Sequence, residues 1–130
     1  MKFLRPLLAP LLLLGLWSVP PAAAAELIML ERPGCAWCLR WDREIAPIYP
    51  KTAEGHQAPL RRVDVTQPWP SDLAGIGGDI YTPTFIVVEN GTEVARLRGY
   101  PGEHFFWPLL NEMLQRLPHL QPDSGPAADS

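Results

Sequence analysis

Cysteine and histidine are both scarce in this chain. Its 130 residues contain two cysteines, Cys35 and Cys38, and three histidines, His56, His104 and His119. A structural zinc site takes four nitrogen or sulfur ligands in tight spacing, and these five residues do not form that pattern. No metal and no cofactor is expected. Positive charge is also in short supply. Residues 26–130 carry nine basic and fourteen acidic side chains, a net of −5. A surface of that sign repels phosphate, which argues against nucleic acid and against an anionic membrane as partners. There is no internal repeat. The apolar run "PLLAPLLLLGLWSV", Pro6 to Val19, is shorter than the ~20 residues a spanning helix needs, and Pro10 interrupts it.

That run has a different use. Lys2 and Arg5 precede it, and Ala23-Ala24-Ala25 follows it with small residues at the spacing of a signal-peptidase site. A positive start, a short apolar core and a small-residue site read as a cleaved secretory signal, residues 1–25, cut near Ala25. Residues 26–117 have the length of one small domain. The tail 118–130, "PHLQPDSGPAADS", is rich in Pro, Ser, Asp and Ala and is expected to fray into solvent.

Periodicity sketches the domain. "ELIMLE" (26–31) is a short apolar run ended by Arg32-Pro33-Gly34, which reads as a buried strand. Trp37, Cys38, Trp41 and Ile45 recur at spacings of three and four, one face of a helix from Cys35 to about Ala46 that Pro47 ends or kinks. "LRRVDV" (60–65) alternates like a strand. "TQPWPSDLAGIGGD" is too rich in Gly and Pro for more than one helical turn. "TFIVVE" (84–89) and "TEVARLR" (92–98) flank Asn90-Gly91, a strong hairpin signal. A wide apolar stripe then marks a helix over about 102–117, with a kink or a late start at Pro108. Phe105, Phe106 and Trp107 are assigned mainly to the core. The order implies a three-layer α/β sandwich with a mixed sheet, helices on both faces, and Cys35-Ala36-Trp37-Cys38 at the first strand-to-helix junction.

Two cysteines three apart close so small a loop that a disulfide there stabilises near the bottom of the ~0–5 kcal/mol range. A structural staple is therefore a weak reading, and a reactive pair is the stronger one. Cys35 stands where unpaired helix N–H groups favour a thiolate, so it is the candidate nucleophile. Cys38, one turn in, is the candidate resolving thiol. Trp37 is expected either on the rim, as a flat apolar contact for a partner, or as a shield over Cys38. Arg32 is either a charge that favours the Cys35 thiolate or a solvated side chain.

A strand, a C-x-x-C opening a helix, a later Thr-Pro before a hairpin and a closing helix resemble the thioredoxin fold over nearly all of residues 26–117. More specifically, "RWDREIAPIYPKT", "PLRRVD" and "GYPGEHFFW" resemble the periplasmic SoxS group encoded with bacterial sulfur-oxidation (Sox) systems. The resemblance implies a periplasmic thiol-disulfide oxidoreductase that acts on protein thiols and disulfides. It implies the sulfur-carrier complex of the Sox system as substrate. Export adds a separate expectation: the periplasm is kept oxidising, so a reductant there needs a membrane thiol transporter as electron source. The resemblance also implies that Pro83 is cis and that Thr82 holds bound peptide through its main chain. Many relatives carry a buried acid six residues before the first cysteine. Met29 stands there, and Glu31, two residues on, is the substitute to test, against a plain strand-end charge. The alternatives are a general periplasmic disulfide reductase or isomerase, a cytochrome c maturation thioredoxin, or a binding module with an inert disulfide.

Overall fold

Strand β1, Ala25–Glu31, is central to a four-stranded sheet of order β2-β1-β3-β4. The computed structural model describes residues 25–120, so the stretch read as a secretory signal falls outside them except for Ala25, which opens β1 opposite Glu89. β2 (Leu60–Asp64) runs parallel to β1, with Leu30 opposite Val63. β3 (Thr84–Glu89) is antiparallel to β1, and β4 (Thr92–Arg98) pairs antiparallel with β3. Asn90 and Gly91 take φ of 50° and 75°, the left-handed pair that a two-residue hairpin requires. Turn chemistry thus fixes both strand boundaries where the sequence places them.

The alternation of β1 and β3 builds a core on each face. Leu27, Met29, Phe85 and Val87 point to one side, where α1 (Ala36–Glu44) and α3 (Glu103–Leu114) both pack. Ile28, Leu30, Ile86 and Val88 point to the other. Among the described residues no α-helix covers that side, contrary to expectation. Its layer is the connection after β2, which makes a 3₁₀ turn at Ser71–Leu73 and buries Leu73 and Ile76. Pro68, Pro70, Gly75, Gly77 and Gly78 keep the turn from lengthening.

Three further differences have local causes. A five-residue helix, α2 (Ala53–Gln57), follows a 3₁₀ turn at Tyr49–Lys51 and is capped by Thr52, whose hydroxyl accepts from the Gly55 N–H at 3.0 Å. α3 begins at Glu103, five residues ahead of Pro108, so the late start does not occur. The α3 aromatics divide: Phe106 is buried, Trp107 is partly buried and Phe105 is exposed, so the core assignment of Phe105 is corrected. Beyond α3 a 3₁₀ turn spans Pro118–Leu120, inside the stretch read as tail.

Candidate active site

β1 ends at Glu31, and Arg32-Pro33-Gly34 turns the chain into α1. Gly34 has φ +76°, which a side chain would strain. Cys35 is then the N-cap of α1, with extended φ and ψ of −77° and 104°. Its sulfur accepts a hydrogen bond from the Cys38 N–H at 3.1 Å. No acidic residue lies in the first turn to oppose the field of the helix end. Cys35 and Cys38 are joined as a disulfide with Cα atoms 5.2 Å apart. The two ends differ in access. Cys35 is half-buried, whereas Cys38 is 4% exposed and packs in the core with Met29 and Trp41.

Thr82-Pro83 is a cis peptide bond, as the resemblance implied. The Gly99 N–H donates to the Pro83 carbonyl at 2.7 Å and ties this loop to the end of β4. Thr82 is half-buried, and among the described residues its main-chain groups make no hydrogen bond. Trp37 is 55% exposed, and the Arg40 guanidinium lies 5.6 Å from its ring. Trp37, Tyr81, Thr82, Arg98 and Gly99 line one cleft, which places the exposed Trp37 ring beside Thr82. Trp69 lies outside that cleft, and Tyr100 is buried with its hydroxyl donating to Glu44 at 2.6 Å. Glu44 is held ionised below its ordinary range by Arg40 and then by Tyr100.

Glu31 lines a second cleft, together with Cys35, Cys38, Asp42 and Asp64. It is not a free strand-end charge. Arg62, on the neighbouring strand, donates to Glu31 Oε2 and to Asp42 Oδ1, each at 2.6 Å, with its guanidinium 5.5 Å from the Trp41 ring. Met29 is fully buried behind the pair, so the acid position of other relatives is apolar here. Arg32 donates to the Ile80 carbonyl at 2.5 Å, which links the loop before Cys35 to the loop before Pro83. That link, and the grip of Arg62 on Glu31, lie between residues far apart in sequence and have no local signal. Among the described residues, no three histidines, cysteines or carboxylates are grouped to hold a metal.

A strand, a disulfide capping the next helix and a cis-proline loop that shares a cleft with Trp37, between the two cysteines, make up the working end of the thioredoxin fold. A protein so built is a thiol-disulfide oxidoreductase. Among solved structures, the chain resembles the periplasmic thioredoxin SoxS from Paracoccus pantotrophus in its reduced form. Identity is 46% over 71% of this chain and 97% of that one, with a TM-score of 0.66. The chain belongs to the SoxS family of periplasmic thioredoxins. Thioredoxins from Fasciola hepatica (20% identity, 69% of this chain and 81% of that one, TM-score 0.53) and Malassezia sympodialis (22%, 69% and 75%, TM-score 0.51) share the fold. No family model and no curated protein matches the chain.

Proposed function

We propose that this chain works in the periplasm as a reductant for the sulfur-carrier protein of a Sox system, with Cys35 as nucleophile and Cys38 as resolving thiol. The observation that carries the roles is the unequal access of the two sulfurs, with the Cys38 N–H directed at the Cys35 sulfur. The Cys35 thiolate attacks a partner disulfide, forms a mixed disulfide and expels one partner thiolate. Cys38 then loses its proton and attacks the Cys35 sulfur, which expels the second partner thiolate. Two electrons pass to the partner, and the protein is left as the Cys35–Cys38 disulfide. The periplasm is kept oxidising, so a membrane thiol transporter must return those electrons. Likeness to a periplasmic SoxS supports the compartment and the substrate class.

Cys38→Ser tests the substrate. Expressed with its signal in the native host, it should retain the partner on Cys35 as a mixed disulfide that a non-reducing gel resolves. The expected capture is the carrier, joined through a cysteine on a mobile segment that can approach Cys35 in line. Its tail would lie beside Pro83 as an added strand, bonded to the Thr82 main chain. Apo-cytochrome c on the gel would move the function to haem maturation. A broad set of exported proteins would make it a general reductase or isomerase.

Glu31 is assigned as the acceptor of the Cys38 proton, through water, because it lines the same cleft and Arg62 keeps it oriented. General-base help is worth about 10²–10⁴-fold. Glu31→Gln keeps an acceptor for Arg62 but loses basicity, so release of the mixed disulfide should slow by roughly 10²-fold, the low end of that range. Single-turnover release of a fluorescent peptide checks this. An unchanged release rate with slowed initial attack would reassign Glu31 to the first step.

A further inference from the structure

The cleft at Trp37 continues past Thr82. Tyr81 and Arg98 also line a larger hollow of about 590 Å³, with Val65, Trp69, Asp79 and Ile80 around it. Ile80 is 78% exposed and Tyr81 is 60% exposed, and with Trp37 they place three large apolar side chains at one end of the molecule. A loop free to move would fold such groups inward. This one is pinned. Asp79, whose side chain is only 5% exposed, accepts from Arg98 Nε at 2.5 Å, from Arg96 Nη1 at 3.2 Å and from the Tyr81 N–H at 3.1 Å. Arg96 also donates to the Gly77 carbonyl at 2.7 Å, and Arg32 holds the Ile80 carbonyl from the opposite side. Ile80 and Tyr81 are thus held outward in advance, which lowers the ordering cost of binding.

The same end carries available positive charge in a chain of net −3. Arg98 uses Nε for Asp79, and among the described residues its two terminal nitrogens make no hydrogen bond. The side chain is 61% exposed, at the boundary of the two hollows. Those nitrogens form the planar fork that grips a carboxylate with two bonds. Arg32 is exposed and bonded to a carbonyl instead of an acid.

We propose that Trp69, Ile80, Tyr81 and Arg98 form a second subsite that reads the partner to one side of its reactive cysteine. Its occupant is an extended segment of a protein partner with one apolar side chain and one carboxylate. The apolar group packs between Trp69 and Ile80, and the carboxylate meets the Arg98 fork. The subsite rests on the reading that partner disulfides are attacked by Cys35 at the Trp37–Thr82 cleft.

The test uses nine-residue peptides whose central cysteine is a mixed disulfide with thionitrobenzoate. One set carries Leu and Asp together on the same side of that cysteine, N-terminal to it in one peptide and C-terminal in another, and the other set carries Ser and Lys at the same positions. Reduced full-length protein is mixed with each, and with hydroxyethyl disulfide, in single-turnover experiments. Each peptide rate is divided by the same variant's hydroxyethyl disulfide rate. Wild type should favour a Leu/Asp peptide by about tenfold or more, and Ile80→Ser and Arg98→Gln should each remove most of that preference. Equal rates for both sets, or a preference that survives both substitutions, would overturn the subsite. If wild type fails to reduce hydroxyethyl disulfide at all, the thiol reading fails first and takes the subsite with it.

Discussion

Cys38→Ser protein, reduced and mixed with a peptide disulfide, is expected to form a stoichiometric adduct and stop, while Cys35→Ser forms none. The reason lies in the first turn of α1. The Cys38 N–H reaches the Cys35 sulfur at 3.1 Å, a bond that stabilises negative charge on that atom and not on the other. Cys38 is packed against the core and is reached only by a sulfur already bound to the protein, the one on Cys35. Exchange proceeds through a thiolate in line with the bond it breaks, so access counts as much as basicity. Multiple turnover should fall to background in both variants, and mass spectrometry separates them by the adduct. Equal adducts from the two would show that either sulfur can lead, and the assigned roles would be wrong.

How much of the fold and site is legible in the sequence follows from the range of each interaction. The hairpin is legible to the residue because Asn90-Gly91 needs only its own backbone. The cysteine pair and its helix cap are legible for the same reason, within four residues of Cys35. The cis bond at Pro83 is not, since most X-Pro bonds are trans, and it enters through family resemblance. Short helices escape too. α2 has five residues, less than two turns, and its only cue is the Thr52 cap. A helix on the second face is implied by the order of elements and refused by local chemistry, because the residues from Gly75 to Gly78 favour turns.

The polar parts of the site are hidden for a geometric reason. Arg62 stands beside Met29 only because β2 pairs parallel to β1 in that register, and from there it reaches Glu31 diagonally and Asp42 on α1. Asp79 and Arg98 are 19 residues apart and meet only when β4 closes the sheet. The partner that holds Glu31, Arg62, comes from the register of β2 on β1 and is not revealed by sequence spacing.

Trp41→Ala should destabilise the protein more than any of the substitutions at Glu31, Ile80 or Arg98. Trp41 is fully buried on α1, and its ring centroid lies 5.4 Å from that of Phe85 on β3 and 5.9 Å from that of Phe106 on α3. Tyr49, at 6.3 Å, adds the chain beyond α1. One side chain therefore joins the cysteine helix, the sheet and the last helix. Removing a buried aromatic costs about 3–5 kcal/mol, against about 5–15 kcal/mol for the whole stability of a typical domain. One factor works the other way: among the described residues, the indole Nε1 has no hydrogen-bond partner. An orphaned buried donor carries a penalty of about 1–3 kcal/mol. Trp41→Phe removes that donor with a smaller loss of volume, so it should destabilise much less than Trp41→Ala. Urea unfolding of the oxidised protein measures both, with the slope checked so that a midpoint change can be read as stability. If Trp41→Phe were as damaging as Trp41→Ala, ring volume could not be the source of the loss, and the indole nitrogen would be making a contribution that its surroundings do not account for.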